Sequence, residues 1–526
     1  MPLNKHRILY ISGLLLCVVF VIFSRFYGLW WGNSYFFHPD ENNMATALSQ
    51  ISWTNFNPHF YAYGQFPLYL GFVTLKITGL SISFSNAIYV LRFWSALFSS
   101  GTILIYYLLS KQLFKKNYFI VPLLATFSPG LIQLAHFGTT ESLLIFVFSF
   151  NILLALYYLK KPRIKWLTIA GIITGVGIAS KLTAVFFITP FALALILSSK
   201  SITKKISFLV LYGLIALGFA IILSPYNFID YSDFISSMTY ETNVATGVIK
   251  VFYTSQFLHT VPYLFQLTKI IPYAAGLTIT FFSIFGGILV FSRCTVKNIK
   301  ANYKKISIFL IPCLIYFAYV GQLYTKWFRF TSPVFLIFIF LSSFFLQKIN
   351  NRFVLIMLLI IAFVPGINFF KIYLSPDIRI IASNWIIDNL SPGSKMLSEA
   401  GNVINIPLDN RSLSINNFDF YNLDSNPNLP QRLVEAVADN NYILIPSRRI
   451  YKNQDNSQFP YSQKYYSSLF NGQLGFTLIK EFSPPMNLVL NDENAEETFS
   501  VFDHPTIRLY KKTTTLTITQ LDQLLL

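Results

Sequence analysis

Carboxylates are nearly missing from the first 371 residues. Asp40, Glu41, Glu141, Asp230, Asp233 and Glu241 are the six present, against 28 Lys and Arg. A water-facing surface of that size needs acids of its own, and charged residues make up only 12% of the whole chain, about half the usual share of a soluble protein. Cysteine is scarce too: Cys17 and Cys313 lie inside apolar runs and Cys294 borders one, a spacing that excludes a disulfide scaffold or a zinc module. Phosphate-cradling glycine patterns of the Walker or GxGxxG type are absent, which argues against a soluble nucleotide site.

Present instead are long hydrophobic runs. Residues 8–30, 88–110, 117–135, 142–159, 166–180, 183–198, 206–225, 271–292, 306–323, 330–347 and 353–371 read as about eleven transmembrane helices, each near bilayer-crossing length. The run at 8–30 has no clear small-residue cleavage site and reads as a retained first helix rather than a signal peptide. Lysine and arginine cluster between alternate runs: Lys111, Lys115 and Lys116; Lys160, Lys161, Arg163 and Lys165; Lys200, Lys204 and Lys205; Arg293, Lys297, Lys300, Lys304 and Lys305; Lys348 and Arg352. None of these loops holds a carboxylate. Such loops are cytoplasmic by the positive-inside rule, which puts the N-terminus in the cytoplasm and everything after residue 371 outside. The net charge of +18 is thereby a matter of topology, and a nucleic-acid partner is not called for. Residues 66–79 are short for a span and are read as an interfacial or re-entrant helix in the first outer loop.

All six acids then fall on the outer side. Asp40 and Glu41 follow Pro39 and precede a helical stretch, AsnAsnMetAlaThrAlaLeu. A helix N-terminus favours ionised carboxylates there, and an ionised Asp at a membrane surface can act as a general base. A plain capping role fits the same residues, and the residues alone do not separate the two. Glu141 opens the fourth run within a very short outer loop; an ionisable group near bilayer depth is a functional candidate, with a cap shared with Thr139 or Thr140 as the alternative.

An Asp-Glu pair after the first span and a second acidic motif after the third resembles the GT-C membrane glycosyltransferases. Within them the likeness is to the family-39-like, phospholipid-carrier-dependent enzymes related to protein O-mannosyltransferases and aminoarabinose transferases. Segments that carry it are TyrAlaTyrGlyGlnPheProLeuTyrLeu at 61–70, LeuArgPheTrpSerAlaLeuPhe around Arg92, GlyIleAlaSerLysLeuThrAla at 177–184 and LysTrpPheArgPhe at 326–330. The resemblance spans about residues 1–371. It implies that Asp40 is the catalytic base with Glu41 as its partner, that Glu141 stands where the family commonly has Asp, and that the donor is a sugar on a polyprenyl phosphate. Lys181, Lys326 and Arg329 are placed to hold the leaving phosphate, Arg as a fork and Lys as a point charge; as span-end bases they would otherwise serve as interfacial anchors. His38, His59, Tyr61, Tyr63, His136 and His259 are candidates for lining the substrate. The implied reaction is an inverting displacement at the extracytoplasmic face, onto a protein, lipid or glycan acceptor. No metal-ligand motif is recognised, although His259 with the nearby acids leaves a divalent cation possible.

Residues 372–526 change character, with 12 basic and 16 acidic side chains and no run long enough to span. A helix at 375–390 and strands at 395–399, 442–446, 476–480 and 506–511 describe a small extracytoplasmic α/β domain, whose expected role is acceptor binding or covering the site. Asp503-His504 reads as a turn before a strand, and Asn410-Arg411-Ser412 is a lone glycosylation triplet. A lipid-linked sugar flippase is the alternative of another class. Transporters usually show internal repeats and mid-membrane charges, and neither is evident here.

Overall fold

The computed structural model describes residues 18–292, 296–399, 406–408, 413–454, 457–484 and 490–526. The glycosylation triplet and residues 8–17 of the 8–30 run lie outside these residues. Two compact units emerge: Met1–Trp30, Asp40–Thr246 and Val261–Phe370 form one, and Trp31–Pro39, Gly247–Thr260 and Lys371–Leu526 the other.

The first unit is helical. Helix α1 (Pro39–Ser49) starts on a proline and carries Asp40 and Glu41 in its first turn. Helix α2 (Phe66–Thr78) has Pro67 at its start and ends where Gly79 adopts φ +71°. Helix α3 (Phe84–Leu113) is capped by Ser83, whose hydroxyl accepts from the Asn86 N–H. Helix α4 (Glu141–Lys160) begins on the buried Glu141.

Among the described residues six helices are long and apolar enough to cross a bilayer: α3, α4, Ile202–Leu223, Tyr303–Gln322, Phe328–Leu346 and Arg352–Leu374. Counting the bent pair Gln266–Ala274 and Leu277–Val290 as one span gives seven. Large apolar side chains stand exposed along the outer helices: Val210 (56%), Leu214 (61%) and Ile222 (69%) on Ile202–Leu223. Patches of this size are unfavourable in water and ordinary in lipid. The protein is an integral membrane protein.

Several of the remaining runs are broken or short among the described residues, so length and composition alone count six or seven spans there, and the 8–30 run is described only from residue 18. The 117–135 run splits into Ile120–Thr126 and Pro129–His136, because Pro129 lacks the N–H that would continue the first helix. The 183–198 run is a 3-10 turn, Leu182–Ile188, followed by Thr189–Leu197. The 271–292 run is bent by 118° at Gly276, whose φ of +96° lies outside the helical range.

The second unit holds a five-stranded sheet in the order β2-β1-β3-β5-β4, built from β1 (Ser394–Glu399), β2 (Leu413–Phe418), β3 (Tyr442–Ile445), β4 (Phe476–Phe482) and β5 (Ile507–Lys512). Pairings β1–β2 and β1–β3 are parallel, β3–β5 and β4–β5 antiparallel. Alternate residues of central β3 feed different cores. Ile443 and Ile445 join Leu433, Tyr465 and Leu521 on one side, while Leu444 joins Ile378, Ala382 and Ile386 on the other. Helices therefore cover both faces, as the unbroken apolar run of β3 requires.

Candidate active site

Three carboxylates of the first unit each meet a cation from a different element. Glu41 accepts both Nε (3.0 Å) and Nη2 (2.7 Å) of Arg92 on α3, and the Gly138 N–H donates to the same carboxylate at 2.5 Å. Both side chains of this pair are fully buried. Arg92 also donates through Nη1 to the Leu29 carbonyl, 2.8 Å away. Glu141 accepts from Lys181 Nζ at 3.1 Å. Asp40 is ion-paired to Arg329, and each keeps about a fifth of its surface open (21% and 22%).

Tyr63 connects two of these pairs. Its hydroxyl lies 3.4 Å from Arg329 Nη1, and Lys181 Nζ sits 5.0 Å from its ring centroid. Phe330 does the same from the other side, 5.1 Å from Lys181 and 5.8 Å from Arg329. Burial, and then the charges of Glu141 and Glu241, push the Tyr63 phenol well above its ordinary range, so it stays a neutral hydrogen-bonding group. Two acids and two cations thus share one aromatic wall.

The backbone that presents Tyr63 is pinned. Gly64 N donates to the Ser180 carbonyl (2.9 Å) and Phe66 N to the Ala179 carbonyl (3.1 Å). A Cβ at Gly64 would lie 2.0 Å from the Ala179 oxygen, so only glycine allows this approach. The segment at 61–70 and the one at 177–184 are therefore laid directly on each other. On its other flank the same segment is held to residues 224–230. Gln65 N donates to Ser224 Oγ at 3.1 Å, Tyr226 N to Gln65 Oε1 at 3.0 Å, and Asp230 accepts from Tyr61 (2.6 Å) and Asn57 Nδ2 (2.5 Å). Burial and the bond to Asp230 raise the Tyr61 phenol to about 12, with Asn57 pulling the other way.

The other sequence candidates stand in different surroundings. Lys326 is buried, its Nζ 2.9 Å from the Tyr324 carbonyl, and burial lowers its pKa. His136 is buried with ring nitrogens 2.8 Å from the Ile132 and Tyr27 carbonyls, a packing role rather than an open wall. His59 takes φ +47° and its N–H donates to Asn57 Oδ1. His38 and His259 belong to the second unit, where His38 lies 4.5 Å from the Phe502 ring. Among the described residues no group of three His, Cys, Asp or Glu side chains is placed to hold a metal ion.

Two contributors escaped the sequence reading. Arg92 was visible only as the centre of a motif, with no signal that its partner would be Glu41. Asp230 was visible only as one of the outer-side acids, yet it accepts a hydrogen bond from Tyr61.

Residues 74–225 match the family model described as dolichyl-phosphate-mannose-protein mannosyltransferase. The apo oligosaccharyltransferase of Archaeoglobus fulgidus superposes with a TM-score of 0.50 at 14% identity, over 92% of this chain and 74% of that one. This is the GT-C fold. ArnT of Cupriavidus metallidurans bound to undecaprenyl phosphate gives a TM-score of 0.48 at 11% identity, over 95% of this chain and 97% of that one. The Saccharomyces cerevisiae protein O-mannosyltransferase Pmt1–Pmt2 complex gives 0.33 at 18% identity, over 44% of this chain and 35% of that one. A search of curated protein sequences returns no match. The GT-C likeness read from the motifs is thus reached independently, by a family model over residues 74–225 and by the fold.

Proposed function

We propose that the chain transfers a sugar from a polyprenyl-phosphate donor to an acceptor at the extracytoplasmic face, with inversion at the anomeric carbon. The observation that carries this reading is the pair of ion pairs around Tyr63, Asp40 with Arg329 and Glu141 with Lys181. The family model that matches the chain is named for a transfer from dolichyl phosphate, which supports the donor class.

In the resting site each cation is neutralised by a carboxylate. A phosphodiester arriving at Arg329 and Lys181 competes for the same donors, and a phosphate offers Arg the same bidentate geometry as a carboxylate. Asp40 is thereby released toward the acceptor. It takes the acceptor O–H or N–H proton as the acceptor atom bonds to the anomeric carbon. The bond from that carbon to the phosphate oxygen breaks, and its electrons leave with the polyprenyl phosphate. Negative charge grows on that phosphate in the transition state, where fixed cations contribute most. Glu41, buried against Arg92 and the Gly138 N–H, fixes the first turn of α1 and so positions Asp40.

The test is reconstitution in liposomes with a radiolabelled polyprenyl-phosphate sugar. Wild type transfers label to an acceptor fraction; Asp40→Asn stays folded and loses about 10²–10⁴-fold in rate, the usual share of a general base. If both proteins move labelled lipid between leaflets and transfer nothing, the flippase reading replaces this one.

A further inference from the structure

We infer that Glu241 is a sugar-recognition residue, whose carboxylate accepts hydrogen bonds from the hydroxyl groups of the donor's sugar ring. The inference rests on the proposed transfer from a lipid-linked sugar and assigns the part of that donor beyond the phosphate.

Glu241 lies on helix α5 (Tyr231–Thr246). On α5 the residues that are at least partly buried are Phe234, Ser237, Met238, Asn243, Val244 and Ala245, and Glu241 falls at helical spacing among them, three or four residues from Ser237, Met238, Val244 and Ala245. It is nevertheless exposed. Its carboxylate is thus open to a ligand on the face by which the helix packs. Neighbouring protein atoms displace water from its carboxyl and raise its pKa, and the charge of Lys181 draws it back. Both ends of α5 are tied to the elements of the site: the Thr325 N–H donates to the Ala245 carbonyl at 3.1 Å, next to Lys326, and Asp230 holds Asn57 and Tyr61 ahead of the helix.

The remaining carboxylates of this group are occupied, Asp40 by Arg329 and Glu141 by Lys181. Among the described residues Glu241 has neither a hydrogen bond nor an ion pair, although its charge is felt at Tyr63 and that of Lys181 is felt at Glu241. An ionised carboxylate offers acceptor sites only. It repels a phosphate and suits a polyol, whose hydroxyl donors make strong charge-assisted bonds to it. The two kinds of charge divide the donor between them: cations at Arg329 and Lys181 draw the phosphate, and Glu241 draws the ring.

The experiment compares binding of a polyprenyl phosphate with binding of its hexosyl and pentosyl esters, by displacement of a fluorescent lipid phosphate from purified full-length protein. Wild type is expected to prefer at least one glycosyl ester to the bare phosphate. Glu241→Ala is expected to lose about tenfold in that preference, the worth of one hydrogen bond to a charged group, with affinity for the bare phosphate kept or raised because a repelling charge is gone. Glu241→Gln, which keeps shape and one acceptor, falls between. Retention of the full preference by Glu241→Ala, or an equal loss for the bare phosphate, overturns the inference and leaves the proposed reaction standing. Failure of wild type to bind any of these lipids sinks the proposed reaction itself.

Discussion

Adjacent residues Asp40 and Glu41 have opposite energetics. Asp40 meets Arg329 in a partly open setting, where an ion pair is worth about 0–1 kcal/mol. Glu41 and Arg92 are fully buried, and removing one partner of such a pair costs about 3–5 kcal/mol because the other charge is left in a poor medium. Asp40→Asn should therefore leave the thermal midpoint in detergent nearly unchanged, whereas Glu41→Gln should lower it by many degrees. Equal midpoints for the two would show that the buried pair does not stabilise the fold. In the second unit His504 is buried between Asp503 (2.5 Å) and Asp492 (3.0 Å). Burial alone would lower its pKa; the Asp503 charge, hydrogen bonds to both acids and the Asp492 charge outweigh it and raise the group to about 9. A raised folded-state pKa contributes stability that is complete below the ordinary value near 6.5 and is lost as pH rises through about 9. Thermal melts across that window should show the midpoint falling with pH in wild type and a flatter profile in His504→Gln. The sequence showed Asp503-His504 only as a turn, because its second acid, Asp492, comes from another loop.

At the level of elements, the contact between residues 61–70 and 177–184 decides most. Gly64→Ala places a methyl against the Ala179 carbonyl, and overpacking of this kind costs about 1–3 kcal/mol. Because Tyr63 and Lys181 flank the contact, transfer activity should fall further than stability does. Gly79→Ala serves as the control: nothing lies within 4 Å of its Cβ position, so its cost is conformational, about 1 kcal/mol, and activity should persist. Activity equal in the two variants would show that the contact does not position the site. The apolar runs and both acidic motifs were legible in the sequence because length and charge are local properties. The breaks at Pro129 and Gly276 were written in the sequence but masked by the hydrophobicity around them. In the second unit four strands were readable, while β2, LeuSerIleAsnAsnPhe, was not. Its asparagines are poor strand formers, and it exists because β1 pairs with it. Helix Ile518–Leu525 also escaped, although Thr517 and Gln520 form a capping box that the sequence displays. The pairing of Asp40, Glu41 and Glu141 with three cations was beyond sequence reach, since each partner lies 40 or more residues away.

At the scale of the molecule the helices of the first unit separate charge by sign along their length. Acids and their partners gather near Tyr63, whereas Lys304 Nζ meets the Leu197 carbonyl (2.9 Å) and Lys305 Nζ the Gln112 carbonyl (3.3 Å) at the opposite helix ends. A membrane-impermeant thiol reagent applied to sealed cells should thus reach a cysteine placed at Glu241 and spare one placed at Lys304 until the membrane is opened. Labelling of both from the same side would invalidate the expected topology. The buried Glu41–Arg92 pair also bears on how the chain is made. Its halves are 51 residues apart, so at about 5–20 residues per second the ribosome delivers the acid several seconds before the arginine. When α3 leaves the insertion machinery its guanidinium finds a counter-charge already waiting at the membrane boundary. Reversing the two residues would send the arginine in first and put the acid on the spanning helix, and a biogenesis defect distinct from any loss of activity should follow.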